Sequence, residues 1–276
     1  MIKKQLITEG RKVSYLEEGP GDGVPVLFLH GVPESSMVWK EILPAAASEG
    51  FRGIAPDLPG FGDSARFKEK SSWERYVEFV SEFLAALSIE KIHLVVHDWG
   101  GLIGLAWAGS HPDRVLSITV SNTTISKDYS WHKLAKLWRT PIVGEGVIKG
   151  MTDWEKFAEG MRKSAPGIND DTLQDFHKAF RSSEAGKVVL ELYRSGNKDK
   201  VREYEGMLSG LMVPVSIIWG KDDPYVPVQF AEKLKAESLS QATVHIVPNI
   251  GHFIQIESPE VFSDLLLDHF QSFKKY

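Results

Sequence analysis

Short apolar runs alternate with amphipathic stretches along most of the chain. The runs are too short for buried helices and lack a polar face, which is typical of strands covered on both sides. The stretches between them repeat apolar residues at helical spacing. The runs are 25–29, 52–57, 92–96, 115–120, 213–219 and 242–247, and the helical stretches are 37–49, 71–87, 99–110, 228–237 and one beginning at 258–260. This order predicts an α/β fold around a mostly parallel sheet flanked by helices.

The first eighteen residues follow a different pattern. Residues 2–8 and 11–18 alternate apolar and polar positions around Gly10, which predicts an opening hairpin. We expect its inward positions to be Ile2, Leu6, Val13 and Tyr15. Further on, Ser71 and Glu74 have the spacing of a capping box and predict the start of the second helix.

The alternation stops between Thr124 and Leu211, where helical patterns follow one another without a strand. They cover 130–139, 144–150, 153–163, 170–181 and 183–194. We therefore predict a core of residues 1–124 and 212–276 with a helical cap, 125–211, inserted after the strand that follows the 99–110 helix. Such a cap lies over the carboxyl ends of the strands, where α/β sheets bind ligands, and excludes water.

Composition narrows the class of protein. The 276 residues are 42% hydrophobic and 25% charged, with a net charge of −5 and no cysteine. Scattered basic residues give no footprint for nucleic acid, and no apolar run reaches the ~18 residues of a membrane span. Without cysteine there is no disulfide framework. We expect a cytoplasmic protein with no nucleic-acid or membrane partner, and the sequence leaves its oligomeric state open.

The junction of the 92–96 run and the next helix is the first candidate site. An acidic residue, Asp98, stands between the strand and the pair Gly100-Gly101. A nucleophile elbow needs small residues at such a turn so that one side chain stands above the sheet. Val96 departs from that pattern, which has glycine two residues before the nucleophile. The alternative interpretation is that Asp98 only caps the helix.

Two later loops supply partners for Asp98. Asp223 follows the 213–219 strand, and His252 follows the 242–247 strand. A carboxylate nucleophile needs no proton removed, so the histidine would activate the water that cleaves an ester on Asp98, and Asp223 would orient the imidazole. The alternative is that Asp222 and Asp223 are turn residues and His252 is structural. No plausible set of metal ligands is evident, and no cofactor is predicted.

Five segments together resemble the α/β-hydrolase superfamily, and within it the epoxide hydrolase and haloalkane dehalogenase branch. They are His30-Gly31-Val32-Pro33, Asp57 to Ser64, His97-Asp98-Trp99-Gly100, Gly220-x-x-Asp223 and Gly251-His252. The resemblance implies that Asp98 displaces a leaving group from carbon, and that the N–H groups of Val32 and Trp99 form the oxyanion hole. It also implies that Asp223 is the acid, with Asp222 a possible substitute.

The leaving group depends on donors in the cap. Tyr193 resembles the cap tyrosine that protonates an epoxide oxygen, whereas the indole of Trp99, with Trp131, Trp138 or Trp154, suits a halide. Val32 stands where many dehalogenases have asparagine. We expect epoxide opening to a diol, with haloalkane hydrolysis as the alternative and a receptor without turnover as a third hypothesis. The expected partners are a small, largely apolar organic substrate and water.

Overall fold

The computed structural model describes residues 1–272, which fold around an eight-stranded sheet with strand order β1-β2-β4-β3-β5-β6-β7-β8. The first two strands pair antiparallel, β2 pairs antiparallel with β4, and every pair from β4 to β8 is parallel. The strands are β1 Ile2–Thr8, β2 Arg11–Glu18, β3 Pro25–Leu29, β4 Arg52–Pro56, β5 Ile92–His97, β6 Val115–Ser121, β7 Val215–Gly220 and β8 Thr243–Val247. The predicted α/β class is confirmed.

The predicted hairpin is present, but one of its inward positions is wrong. Val13 and Tyr15 on β2 are buried, Leu6 is half-buried, and Ile2 is 61% exposed. Ile2 begins β1, which is the edge strand and has a neighbour on one side only. Alternation identifies which residues share a face of a strand, but an edge strand has less of that face covered.

Twelve α-helices surround the sheet in the described residues. They are α1 Leu43–Ser48, α2 Trp73–Ala86, α3 Asp98–Ser110, α4 Lys133–Arg139, α5 Val143–Met151, α6 Trp154–Ser164, α7 Asp170–His177, α8 Ser183–Ser195, α9 Lys198–Leu208, α10 Gln229–Glu237, α11 Ile254–Glu257 and α12 Pro259–Gln271. None of them is long and apolar enough to cross a bilayer.

Two helix predictions need correction. The predicted helix over 37–49 is a 3-10 turn, Ser36–Trp39, followed by the short α1. Pro44 lacks the N–H that a continuous helix would need there, so it is accommodated only in the first turn of α1. The cap of α2 is Ser72, whose hydroxyl accepts from the Arg75 N–H at 3.3 Å, one residue later than the predicted Ser71.

Six helices, α4 to α9, lie between β6 and β7. The sequence patterns predicted all of them except α9, whose apolar stripe is sparse. In α9 only Tyr204 and Leu208 are buried, and the helix packs on α3. The predicted stretch 170–181 is α7 followed by a 3-10 turn, Lys178–Phe180. Four-residue α11 is too short for a periodic signal.

Every residue of β5 and β7 is buried, as their mainly apolar sequences predict, and the polar residues His93, His97 and Ser216 are buried with them. Helix α3 carries nine buried residues out of thirteen and packs against β3, β5 and β6, with α2 and α9 on its other sides. The burial of β5 and α3 fixes their junction in the middle of the sheet.

Candidate active site

The turn between β5 and α3 holds Asp98 in a left-handed conformation, with φ of +47°. Such a backbone is costly for a residue with a side chain and persists only where its surroundings impose it. Here neighbouring glycines make room for the turn. A Cβ on Gly31 would lie 2.3 Å from Asp98 Oδ1, and one on Gly100 would lie 2.3 Å from the Leu29 carbonyl oxygen. The Thr123 hydroxyl also donates to the Asp98 carbonyl at 2.6 Å.

Val96 stands where the elbow pattern has glycine, and Gly104 of the facing helix α3 leaves room for its side chain. A Cβ added to Gly104 of α3 would lie 2.6 Å from Val96 Cγ1. The valine side chain therefore fills the space that a missing side chain on α3 leaves. The strand and helix still approach closely although the glycine of the usual pattern is absent.

The two carboxylate oxygens of Asp98 have different surroundings. Oδ1 accepts a hydrogen bond from the Val32 N–H at 2.9 Å, and Oδ2 lies 3.5 Å from His252 Nε2. Burial would raise the pKa of Asp98, but the hydrogen bond and charge of His252, with the charge of His97 and the Val32 bond, lower it to about 2. Asp98 is therefore ionised at neutral pH and needs no base to become nucleophilic.

The loop after β7 brings Asp223 to the far side of His252. Asp223 Oδ2 lies 2.7 Å from His252 Nδ1, while its Oδ1 accepts from the N–H groups of Tyr225 and Val226 at 2.7 and 2.9 Å. Burial raises the pKa of Asp223, yet the His252 charge and hydrogen bonds bring it below its usual value. Asp222, the alternative acid, is exposed and directs its N–H to the Ile250 carbonyl.

The imidazole of His252 thus lies between two carboxylates. Burial alone would lower the pKa of His252, but Asp223 and Asp98 raise it well above its ordinary value. Both ring nitrogens face carboxylate oxygens, so the protonated ring is favoured while both carboxylates are charged.

One polar partner of this site was absent from the sequence analysis. Asn122, fully buried at the end of β6, donates from Nδ2 to Asp223 Oδ2 at 2.8 Å and accepts from the Gly220 N–H at 3.1 Å. Its φ is +43°, in the region that asparagine tolerates better than most residues. The sequence signal was its position directly after a buried strand, at the same sheet edge as Asp98 and Asp223.

The buried pair of His97 and Glu34 was also not predicted from the sequence. His97 Nδ1 lies 2.9 Å from Glu34 Oε1, and His97 Nε2 lies 3.0 Å from the backbone oxygen of His252. Glu34 Oε2 accepts from the Gly31 N–H at 3.0 Å. Glu34, His97 and His252 therefore bring three potential metal-ligand atoms within 4.8 Å of one another. Each of these side chains already has a hydrogen-bond partner, and the pair ties the Gly31 loop to the His252 loop.

A cavity of about 340 Å³ opens at Asp98 and His252. Its walls are mainly apolar, as expected of a site for a small organic molecule. Helices α8 and α4 contribute Tyr193 and Trp138 to the lining, together with His132, and the loop after β3 contributes Val32.

The predicted indole donors occupy three different settings. Trp138 lines the cavity, but its Nε1 is buried and has no hydrogen-bond partner. Trp131 stacks on Trp99, with ring centroids 5.8 Å apart, and lines a second cavity. Trp154 packs against His177, with ring centroids 5.4 Å apart.

Tyr193 brings a hydroxyl to the cavity wall. Burial raises the pKa of its phenol well above 10, and the negative charge of Asp98 raises it further. The ring packs edge-on against that of Trp99, with centroids 5.2 Å apart. The phenol is therefore protonated at neutral pH and can donate a hydrogen bond.

The α/β-hydrolase fold model matches residues 24–141 and 149–259, well over half of the chain. The chain belongs to the α/β-hydrolase fold family. A haloalkane dehalogenase of Mycobacterium marinum is 38% identical over 266 residues, which cover 91% of this chain and 86% of that protein. Another from Psychrobacter cryohalolentis is 27% identical over 93% of this chain and 86% of its own length.

Solved structures agree on the fold of this α/β hydrolase. The crystal structure of haloalkane dehalogenase DbeA from Bradyrhizobium elkani superposes with a TM-score of 0.84 at 22% identity, covering 98% of this chain and 99% of that one. The resemblance found in the sequence is confirmed, and the chain lies in the haloalkane dehalogenase branch. It is a hydrolase, so the receptor hypothesis loses its support. The relatives favour the haloalkane alternative over the expected epoxide opening.

Proposed function

We propose that this hydrolase converts haloalkanes to alcohols and halide ions through an ester on Asp98. Asp98 Oδ2, next to His252, attacks the halogen-bearing carbon, and the carbon–halogen bond breaks with its electron pair on the halide. Water then attacks the ester carbonyl, which releases the alcohol and restores the carboxylate. The observation that carries the proposal is an ionised carboxylate at an apolar cavity, with one oxygen on the Val32 N–H and the other beside His252.

The charges around His252 explain how one histidine serves only the second step. Before the reaction its pKa is raised by both Asp223 and Asp98. Esterification neutralises Asp98 and removes one of these two charges, so the pKa of His252 falls and the ring can lose its proton. The neutral imidazole then takes a proton from the hydrolytic water, and Asp223 stabilises the imidazolium that forms.

The oxyanion of the hydrolytic step would develop on Oδ1, where the Val32 N–H already lies at 2.9 Å. The backbone N–H of Trp99 lies in the first turn of α3, where backbone donors lack a partner within the helix. We assign this backbone N–H as the second donor to the oxyanion. Removing one such donor typically lowers kcat by ~10²–10³-fold.

Residues 125–211 form the cap of this proposal. Their helices contribute most of the apolar cavity wall, including Leu134, Phe157 and Met161, and the volume of about 340 Å³ suits a small organic substrate. Exclusion of water by this wall strengthens the electrostatic interactions at Asp98. Tyr193, with Trp99 behind it, would donate to the departing halide.

Epoxide hydrolysis remains the second candidate because of Tyr193. A departing alkoxide needs a proton, and a tyrosine hydroxyl at the cavity wall can supply one. The two functions make different demands on this residue. Tyr193→Phe should abolish epoxide opening, whereas it should slow halide displacement by only ~10²-fold, the lower end for losing one donor to a developing anion.

The decisive experiment is to trap the ester with His252→Gln. Alkylation of Asp98 needs no base and should proceed, while hydrolysis should slow by ~10²–10⁴-fold, the usual contribution of a general base. Intact-mass analysis after exposure to 1-bromobutane should show one added butyl group and one equivalent of free bromide. Exposure to 1,2-epoxybutane separates the two candidate functions. An epoxide hydrolase would gain the whole mass of the epoxide on Asp98, because ring opening releases no leaving group.

Asp98→Asn in the same background is the control, since it removes the nucleophile and should leave the mass unchanged. Correctly folded His252→Gln protein that gains no mass from a panel of haloalkanes would contradict the dehalogenase proposal. A gain only from epoxides would move the assignment to the second candidate.

A further inference from the structure

His132 lines the cavity but had no place in the sequence analysis. It precedes α4 and caps it, with Nδ1 accepting the Ala135 N–H at 3.2 Å. Its ring centroid lies 5.0 Å from that of Tyr225 and 6.4 Å from that of Tyr193. Asp98, His252 and Tyr193 share the cavity with it. One ring nitrogen of this cavity-lining residue is therefore committed to the helix, and the other has no hydrogen-bond partner in the part of the chain that the structure describes.

The helix cap determines where the ring carries its proton. A nitrogen that accepts an N–H has its lone pair engaged, so in the neutral ring the hydrogen must be on Nε2. Burial lowers the pKa of His132 below its ordinary value, although the Asp98 charge opposes the shift. Near neutral pH the side chain is consequently an uncharged N–H donor with a fixed tautomer.

The other candidates for a second donor are less accessible. Trp138 Nε1 is enclosed in the cavity wall, so a ligand cannot touch it without movement of its neighbours. The Trp99 side chain is buried against the Tyr193 ring, with centroids 5.2 Å apart, and is not part of the cavity lining. Val32 contributes an apolar side chain to this wall and can donate only through its backbone N–H, which Asp98 occupies.

We propose that His132 Nε2–H donates to the halogen as it leaves, together with the hydroxyl of Tyr193. The inference rests on the proposed dehalogenase function and names a catalytic donor for it. No proton is transferred in this step. The carbon–oxygen bond to Asp98 forms, the halogen departs with the electron pair of the broken bond, and the two donors stabilise its new charge.

Three substitutions separate donation from helix capping. His132→Phe removes both functions. His132→Asn keeps a capping oxygen for Ala135, because asparagine is among the best N-cap residues, but its side chain is too short to reach the position of Nε2. His132→Gln is longer and restores an N–H donor near that position.

The measurement is the rate of alkylation in the His252→Gln background, followed by intact mass with 1-chlorobutane and 1-bromobutane. We expect the Phe and Asn variants to slow alkylation by ~10²-fold, the lower end for losing a donor to a developing anion, and Gln to recover most of it. Chloride should be affected more than bromide, because it is the stronger hydrogen-bond acceptor. Thermal unfolding should place His132→Asn near the parent and His132→Phe below it.

The outcomes distinguish this inference from the function on which it rests. If the His252→Gln parent is alkylated, and the Phe and Asn variants are alkylated at the parent rate, His132 is only a helix cap and the inference is overturned. A rate loss that follows thermal stability, with Asn equal to the parent, would overturn it as well. A parent that gains no mass from haloalkanes would instead refute the dehalogenase function itself.

Discussion

Substitutions of Asn122 can separate two effects: the hydrogen bond that its side chain makes to Asp223, and the strain of its own left-handed backbone. Its side chain donates to Asp223 Oδ2 at 2.8 Å and accepts the Gly220 N–H at 3.1 Å, and its φ is +43°. Asn122→Gly removes both bonds but tolerates that φ. Asn122→Ala removes the same bonds and also strains the backbone, so the two variants share one loss and differ in the other.

The magnitudes follow from these contacts. A hydrogen bond to a charged group contributes about 1.5–3 kcal/mol, and an unpaired buried N–H at Gly220 costs about 1–3 kcal/mol. We therefore expect Asn122→Gly to lower the free energy of unfolding by about 3 kcal/mol. Left-handed strain adds about 1–2 kcal/mol for alanine, while its smaller unfolded-state entropy returns about 0.4–1 kcal/mol. Asn122→Ala should thus be less stable than Asn122→Gly by about 0.5–1 kcal/mol.

Catalysis should respond only to the shared loss. Asp223 keeps the N–H bonds of Tyr225 and Val226 in both variants, so its carboxylate is loosened rather than released. A loss of about 1.4 kcal/mol in the hydrolytic step corresponds to a tenfold lower rate. Single-turnover kinetics would resolve this step from alkylation, which should be nearly unchanged, and urea unfolding would give the stabilities. Equal ester hydrolysis in wild type and both variants, or greater stability of the alanine variant, would refute the reasoning.

Two further predictions concern the elbow and the core. Gly31→Ala should lower activity by more than ~10²-fold, because its Cβ would lie 2.3 Å from Asp98 Oδ1 and displace the loop that carries the Val32 N–H donor. Gly21→Ala is the control: a Cβ there would meet only open space, so steady-state kinetics should not change. Burial lowers the pKa of His93 to about 4, below its unfolded value, so its contribution is complete above pH ~6.5 and is lost as pH falls toward 4. The free energy of unfolding in urea should therefore fall by about 3 kcal/mol less in His93→Gln than in the wild type between about pH 6.5 and pH 4. The same fall in both proteins would contradict the lowered pKa of His93.

The sheet was predictable because its strands leave an unambiguous signal. A strand such as β5, buried at every residue, is apolar at four of its six positions, and its two histidines, His93 and His97, have hydrogen-bond partners. Boundaries and edges were less predictable because the competing effects are not local. The exposure of Ile2 depends on which strand lies beside β1, and the interrupted 37–49 stretch depends on how Pro44 is accommodated.

Asp98, Asp223 and His252 could be proposed from the sequence because each follows a predicted strand. Asp98 and Asp223 follow strands that are buried at every residue, whereas His252 follows the edge strand β8, none of whose residues is fully buried. Parallel strands end at one edge of a sheet, so residues far apart in the chain meet there. Their partners were harder to find. Asn122 also follows such a strand, but its function is apparent only from its hydrogen bonds to Gly220 and Asp223, which lie 98 and 101 residues further along the chain. His132 resembles any other helix cap until the cavity beside it is known.

The tryptophans illustrate why leaving-group chemistry does not follow from residue type. Four indoles, those of Trp99, Trp131, Trp138 and Trp154, were predicted as halide donors, but a donor is useful only if its hydrogen can reach the ligand. Trp138 Nε1 is enclosed and Trp131 lines a second cavity. Trp99 packs against the Tyr193 ring, and Trp154 packs against His177. If Tyr193 and His132 donate as we propose, the fold keeps Asp98 and His252 while a tyrosine and a histidine replace the expected indoles. Accessible hydrogens, rather than the motif around the nucleophile, would then decide which leaving group is stabilised.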